Sequence, residues 1–239
     1  TKTEAIVLRT VKYGDSKMVV DMFTRECGRL QFMAAVSATG RGRLKKQYFQ
    51  PLAQLTVVSD VRPRLQLQRI KEVAQAYPYA TLTADSRKLA VAMFVAECLC
   101  HALRGEQQGG QLFDYVADSL QWLDGAAEGY ANFHLAFLMR LTRFLGFYPN
   151  LGGYAPGDFF DLRSGGFCHS QPLHTDCLGQ ADAALVGLMM RMDYATMHLF
   201  RLSREERNRM VEVIVRYYRI HLPDFPEPRS LAVLRELFA

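Results

Sequence analysis

The chain has no apolar segment long enough to cross a bilayer and no cysteine framework. A membrane-spanning helix needs roughly 18 apolar residues, and the longest candidate, around Leu89–Cys100, is interrupted by Glu97. The five cysteines are odd in number and lack framework spacing, so we expect reduced thiols. The first residues enter an alternating strand pattern and not an apolar signal segment. Together these absences predict a cytoplasmic protein that makes no contact with a membrane.

Known catalytic motifs are also absent. The sequence contains no phosphate-binding P-loop, no dinucleotide-binding glycine motif, no His-Glu-x-x-His and no Gly-x-Ser-x-Gly. Asp158 and Asp161 are close in sequence, and two acids can hold a metal for phosphodiester cleavage. Aspartates in a polar loop are more often turn formers. We therefore expect no enzymatic activity and no cofactor, with a small metal-dependent nuclease as an alternative.

The charge that is present is distributed unevenly. Residues 1–80 carry 14 Lys/Arg against 6 Asp/Glu, a net charge of +8, whereas residues 81–239 carry 15 against 18, a net charge of −3. The two sums give the formal +5 of the whole chain. A small segment with this excess of cations attracts polyanions, because binding releases their counterions.

The period of the hydrophobic pattern changes near residue 80, where the charge balance also changes. Alternating runs predict five short strands at 3–12, 16–23, 29–36, 54–59 and 65–74. From residue 83 the pattern is helical, at about 86–104, 111–123, 131–145, 182–192, 195–200, 204–221 and 230–237. We predict an α+β protein of two domains: a five-stranded OB-fold barrel over 1–80 and an all-α domain over 81–239. Residues 149–180 form an irregular insertion with a possible hairpin at 159–167.

The cations of the predicted barrel are candidate contacts with nucleic acid. Any protein surface carries Lys and Arg, but the cations of this segment greatly outnumber its acids. Four of the cations lie in the glycine-containing loop 37–46. Nearby aromatic residues could stack on bases, although most of them can belong to the core; they are Tyr13, Phe23, Phe32, Tyr48 and Phe49. Binding should follow phosphates with little sequence preference. The candidate contacts are Arg9, Lys12, Lys17, Arg25, Arg29, Arg41, Arg43, Lys45, Lys46, Arg62, Arg64, Arg69 and Lys71.

A zinc site is a weaker candidate than the nucleic-acid contacts. Four potential zinc ligands, Cys168, His169, His174 and Cys177, lie within ten residues. Two of them are adjacent and would diverge, so we predict no metal.

Arg140 and Arg143 are three residues apart on a predicted helix rich in Phe and Leu. Together they could clamp the carboxylate of an acidic, hydrophobic peptide tail. Exposed ends of an ordinary amphipathic helix are the alternative.

The order of several short motifs resembles the RecO family of bacterial recombination mediators. The resemblance spans nearly the whole chain. Its motifs are Tyr13-Gly14-Asp15-Ser16, Phe23-Thr24-x-x-x-Gly28, the basic loop before Gln50-Pro51-Leu52, Phe144-Leu145-Gly146-Phe147-x-Pro149, Phe160-Asp161-Leu162-x-x-Gly165-Gly166 and Ser230-Leu231-x-x-Leu234.

The resemblance implies an N-terminal OB-fold, a helical C-terminal domain and a non-enzymatic role. Family members bind single- and double-stranded DNA and anneal complementary strands. They work with RecR and help RecA displace single-strand-binding protein, whose acidic C-terminal tail docks on the helical domain. Some members hold zinc with four cysteines, but residues 151–156 contain none here and Gln171 stands where a partner of Cys168 would be. An OB-fold RNA-binding or translation factor is the alternative.

Overall fold

The N-terminal strands close into a barrel. The computed structural model describes residues 1–36, 44–62, 64–104 and 109–237. The barrel strands are β1 Lys2–Tyr13, β2 Lys17–Thr24, β3 Gly28–Ala35, β4 Gln54–Ser59 and β5 Leu67–Tyr77, with a 3₁₀ helix, Lys46–Phe49, before β4. Their order around the barrel is β1-β2-β3-β5-β4, with β3 and β5 parallel and the other neighbours antiparallel. The predicted five-stranded OB-fold barrel is confirmed.

Alternation along the strands fills the barrel. Met18, Val20 and Met22 of β2 are buried in the barrel core together with Phe32 of β3. Successive side chains of a strand point to opposite faces. The intervening residues of β2, beginning with Lys17, therefore face away from the barrel interior, and two of them, Asp21 and Phe23, are buried outside it.

β1 departs from the alternation that its sequence suggests. The sequence pattern places Val7 and Arg9 on the same face. The register shifts between them, so that Val7 pairs with Met22 while Arg9 pairs with Asp21. This bulge re-aims the strand and places Arg9 on the outer face. The simple alternation was wrong here because a bulge inserts one residue without changing the hydrophobic pattern.

The rest of the chain is mainly helical, as predicted. The helices are α1 Ser86–Ala102, α2 Gly110–Gly125, α3 Phe133–Leu145, α4 Gln180–Arg191, α5 Arg204–His221 and α6 Leu231–Arg235, with a 3₁₀ helix at Met197–Leu199. The predicted hairpin is present as β6 Phe159–Asp161 and β7 Gly166–Cys168. A third strand, β8 Cys177–Leu178, pairs with the other edge of β6. No helix among the described residues is long and apolar enough to span a membrane.

Side-chain caps fix where the main helices begin. The Asp85 carboxylate accepts hydrogen bonds from the N–H groups of Arg87 and Lys88 at the start of α1. Ser203 and Glu206 form a reciprocal capping box at the start of α5. Such caps satisfy N–H groups that have no partner within the helix. These residues are visible in the sequence, which is why the helix starts could be predicted to within a few residues.

The first two helices are bonded to the barrel. Arg29 of β3 donates from Nη1 to the carbonyl of Cys100 in α1 at 2.6 Å. Gln54 of β4 donates to the carbonyl of Ala117 in α2 at 3.1 Å. The chain divides into two compact units, Thr1–Gly125 and Ala126–Ala239. The first unit thus contains α1 and α2 together with the barrel.

Candidate nucleic-acid interface

The outer face of β1, β2, β3 and β5 combines cations with exposed apolar side chains. Tyr13 of β1 lies opposite Lys17 of β2. Two residues further along each strand, a row of paired residues crosses all four strands. Its members are Val11, Val19, Met33 and Arg69. Side chains directly opposite on neighbouring strands have Cβ atoms about 5 Å apart. The row is therefore a continuous surface, which we call the outer platform together with Arg9, Tyr13 and Lys17.

The platform carries an accessible aromatic ring. Tyr13 is 60% exposed and Val11 is 47% exposed. Three other aromatic candidates, Phe23, Phe32 and Phe49, are at most 2% exposed and belong to the core. The fourth, Tyr48, is half-buried against the barrel core. Of the five aromatic residues singled out in the sequence, Tyr13 is the one presented to solvent on the platform.

Three of the candidate cations are held by acids. Arg25 contacts Glu4 at 2.7 Å and Asp114 at 3.0 Å. Lys71 pairs with Asp60 at 2.6 Å, with both side chains more than half exposed.

Arg29 is the least exposed of the three and is bonded to both a carboxylate and a backbone carbonyl. Its Nε donates to Asp21 at 2.8 Å, and its Nη2 lies 2.5 Å from the same carboxylate. The Asp21 side chain is 3% exposed. Together with the bond to Cys100, these contacts use the guanidinium to attach α1 to the barrel.

The other described candidate cations form no ion pair. Within residues 1–36, 44–62 and 64–104, eight exposed candidates form no ion pair; they are Arg9, Lys12, Lys17, Lys45, Lys46, Arg62, Arg64 and Arg69. Arg41 and Arg43 lie outside the described residues. The excess charge seen in the sequence is therefore accessible on the barrel surface, where unpaired cations attract phosphates.

The two aspartates considered for metal catalysis form turns. Asp158 accepts from the N–H of Ala155 at 2.8 Å and contacts Nδ1 of His169 at 2.6 Å. The bond from Ala155, and then the histidine, lower the pKa of Asp158. The pKa of Asp161 is lowered as well. Burial alone would raise it, but hydrogen bonds from the N–H groups of Arg163 and Ser164 outweigh burial. Both carboxylates are thus engaged with their own loops.

The four zinc candidates lie around the small sheet. Cys168 pairs with Phe159 across β6 and β7, and Cys177 pairs with Asp161 across β6 and β8. His169 contacts Asp158, and Nε2 of His174 lies 3.4 Å from Asp161. No three His, Cys, Asp or Glu side chains in the described part of the chain are grouped so that they could hold a metal ion.

The predicted partner residues are exposed on α3. Arg140 and Arg143 both face solvent. The guanidinium of Arg143 lies 5.4 Å from the centre of the Tyr148 ring, and Phe144 and Tyr148 are 38% and 39% exposed. Cations beside accessible rings can bind a chain end that is both acidic and hydrophobic.

Sequence reasoning did not identify the apolar part of the platform. Val11, Val19 and Met33 look like ordinary strand residues, because Val and Met are common in barrel cores. The signal that could have found them is the pairing register. Once Met18 and Val20 point inward, Val19 must point outward.

Comparison with known proteins agrees with this architecture. The family model described as "Recombination protein O N terminal" matches residues 1–79, and "Recombination protein O C terminal" matches residues 83–231. The DNA repair protein RecO of Phocaeicola vulgatus is 47% identical over 238 residues, covering 100% of this chain and 99% of that protein. The proteins of the same name from Bacteroides fragilis and Porphyromonas gingivalis are 44% and 33% identical, with 99% of this chain and 98% of each relative covered. The resemblance inferred from the sequence motifs is confirmed, and the chain belongs to the recombination protein O (RecO) family.

Proposed function

We propose that the chain acts in DNA repair as a non-enzymatic recombination mediator that binds single- and double-stranded DNA and anneals complementary strands. The outer platform carries the proposal, because cations that form no ion pair with a described residue lie there on the same face as an exposed tyrosine. Single-strand binders combine a cationic surface for the backbone with aromatic rings on which bases stack. Family membership and the names of the relatives, DNA repair proteins, support the same role.

Annealing requires that two phosphate chains approach each other. Cations outside the platform supply a second contact region: Lys45 and Lys46 at the 3₁₀ helix, and Arg62 and Arg64 between β4 and β5. Neutralising phosphates on both strands lowers their repulsion and lets bases pair. A protein with cations on more than one side of its barrel can hold both strands at once.

The helical region is the proposed platform for protein partners. We assign Arg140 and Arg143, with Phe144 and Tyr148, as the docking site for the acidic tail of single-strand-binding protein. Such docking would place the barrel next to coated single strands. With RecR, the protein would then help RecA load onto that DNA.

The first test measures the salt dependence of single-strand binding. Changing Arg9, Lys17 and Arg69 together to Ala removes three platform cations. If all three contact phosphates, the slope of log K against log salt falls by about 2 units, since each contact to a single strand contributes about 0.7.

A matched control removes three cations that are already ion-paired. The three ion pairs are Lys71–Asp60, Arg204–Glu236 and Arg209–Asp182, and the control changes the cation of each to Ala. The control should leave the slope almost unchanged. An unchanged slope in the platform variant, or an equal loss in both, would remove the platform from the contact surface.

A second test addresses the biological step. Annealing rates are compared for DNA and RNA strands, bare and coated with bacterial single-strand-binding protein. A mediator should anneal coated DNA. Equal activity on RNA, or inhibition by the coat, would instead indicate an RNA-binding factor.

A third test addresses the partner site. Arg140→Ala should weaken binding of a peptide that matches the acidic tail while DNA binding is kept. Arg219→Ala, which removes an exposed arginine of α5, is the matched control. Loss of both peptide and DNA binding in Arg140→Ala, or equal effects in the two variants, would contradict the assignment.

A further inference from the structure

A cleft of about 310 Å³ opens on the barrel beside the 3₁₀ helix. Three glutamines line it, Gln47, Gln50 and Gln75, together with the aromatic residues Tyr48 and Tyr79. Three apolar side chains and one threonine complete the wall, and none of the described lining residues is charged. The volume is at the lower end of the range for small-molecule sites, about 300–1,000 Å³. It suits a single ring system and not a length of polymer.

The wall of this cleft is held in place before anything binds. Leu52 has φ of 64°, a conformation that is rare for a bulky residue. Its N–H donates to the carbonyl of Val7 at 2.7 Å, and its carbonyl accepts from the hydroxyl of Tyr79 at 2.7 Å. The Tyr79 oxygen in turn accepts from Nε2 of Gln54 at 3.1 Å. Such backbone strain persists only where the surroundings fix it, and it is concentrated at functional sites.

The chemistry of the lining selects the occupant. Amide side chains offer both donors and acceptors, and burying an unpaired charge beside them would be costly. The occupant should therefore be an uncharged, flat group with hydrogen-bonding edges and an apolar face. Lys45 and Lys46, which are exposed and form no ion pair with a described residue, immediately precede Gln47 along the chain. Anionic groups attached to the occupant would meet cations at this edge of the cleft.

We propose that this cleft binds one unpaired nucleobase of a DNA strand, with Lys45 and Lys46 contacting the adjoining phosphates. The glutamine amides hydrogen-bond the base edge, and the tyrosines and apolar residues contact its face. The inference extends the DNA binding proposed above to a second contact region, distinct from the outer platform. It gives the barrel a place to hold one base out of the stack while neighbouring bases pair.

Free nucleosides test the cleft separately from the cations, because they carry no phosphate. Saturation-transfer NMR on the full chain with deoxyadenosine, deoxyguanosine, deoxycytidine and thymidine should show transfer to base protons. The double variant Gln50→Leu, Gln75→Leu removes amides from exposed positions without removing charge. It should weaken nucleoside binding about tenfold, the effect of losing one to two hydrogen bonds.

A matched control locates the site. Gln31→Leu makes the same chemical change at an exposed position on the outer face of β3 and should not alter nucleoside affinity. If no nucleoside binds, or if Gln31→Leu weakens binding as much as the double glutamine variant, the cleft does not hold a base.

Failure of the cleft and failure of the proposed function give different results. The double glutamine variant should keep the salt slope of the wild-type chain for single-strand binding, because its charge is the same. If the wild-type chain did not bind DNA while nucleosides still required Gln50 and Gln75, the mediator proposal would fail, and the cleft would be a nucleobase site whose ligand is not DNA. If DNA binding followed the platform cations and nucleosides did not bind, the reverse would hold.

Discussion

At the scale of single residues, backbone freedom decides the turn between β6 and β7. Gly165 has φ of 68°, and a Cβ added there would lie 2.5 Å from the hydroxyl oxygen of Tyr217. That hydroxyl donates to the carbonyl of Phe147 at 2.7 Å. Glycine at this position therefore permits both the left-handed turn and the close approach of α5.

We expect Gly165→Ala to lower the free energy of unfolding by about 2–4 kcal/mol. About 1–2 kcal/mol comes from an alanine with positive φ, and the rest from displacing the Tyr217 hydrogen bond. Urea denaturation of the full chain measures the change. Gly166→Ala is the matched control, since its added Cβ would come no closer than 3.8 Å to Ser164. Equal stability of the two variants would contradict this account of the turn.

At the scale of elements, one carboxylate organises the segment that leads from β5 to α1. Asp124, at the end of α2, accepts from the N–H groups of Ala80, Thr81 and Leu82 at 2.7–3.0 Å. The buried Lys88 ammonium donates to the Asp124 carbonyl at 2.9 Å. Three elements thus meet at a single buried aspartate.

Asp124 should make stability depend on acid pH. Burial opposes the shift, but the three backbone bonds outweigh it and lower the pKa of Asp124 below its ordinary value. A carboxylate with a lowered pKa in the folded state stabilises the fold fully above its unfolded pKa, near 4. This contribution is lost as pH falls from about 4 through the lower folded-state value.

Asp124→Asn should therefore flatten the dependence of unfolding free energy on pH below about 4, and lower stability at neutral pH by about 1–3 kcal/mol. Chemical denaturation at a series of pH values gives both quantities. Asp118→Asn changes an exposed aspartate of the same helix and should do neither. A steep acid loss that persists in Asp124→Asn would assign the effect to other groups.

Local patterns in the sequence predict most elements, and the exceptions have identifiable causes. β4 was predicted at 54–59, where it is found, and two helices were predicted to begin at 86 and 204, where Asp85 and Ser203 cap them. The bulge in β1 was not visible, because Leu8 continues the apolar pattern. Residues Ala5–Leu8 are all buried, since the barrel interior covers one face of β1 and α1 packs against the strand. Alternation predicts only strands with one solvated face.

The candidate interface, too, could be predicted from the sequence only in part. The excess of cations was countable in the sequence, whereas their pairing was not. Arg29 and Arg9 look equivalent in the sequence, yet Arg29 is bonded to Asp21 and Cys100. Arg9 is exposed and forms no ion pair within the described ranges. Such pairing depends on register and on the packing of α1, which are properties of the folded chain.

At the scale of the whole molecule, the placement of acids matters more than the total charge. In residues 126–239, acids pair with four of the six arginines of α5 and α6. The pairs are Arg204–Glu236, Arg209–Asp182, Arg216–Asp176 and Arg235–Glu212. Most cations in the described part of the barrel form no ion pair. The contrast between the two units supports assigning DNA to the barrel and protein partners to the helical region.

The barrel should nevertheless depend on α1 and α2 for its stability. Ile6 and Phe23 are completely buried, and the Phe23 ring lies 5.8 Å from that of Phe113 in α2. A fragment of residues 1–80 would expose these side chains and remove the Cys100 carbonyl from Arg29. A fragment of residues 1–125 keeps both contacts.

We therefore expect residues 1–125 to unfold cooperatively in urea and to keep the salt-dependent DNA binding of the full chain. Residues 1–80 should show no cooperative transition, because burying a large apolar side chain contributes about 1.5–3 kcal/mol and net stabilities are only about 5–15 kcal/mol. Circular dichroism during denaturation separates the two outcomes. Adding Ile6→Thr and Phe23→Thr to the shorter fragment should improve its solubility without restoring the transition, since the missing contacts are not replaced. If the 1–80 fragment unfolded cooperatively at the same urea concentration as 1–125, the barrel would be an independent domain and the Arg29 and Phe113 contacts would be dispensable.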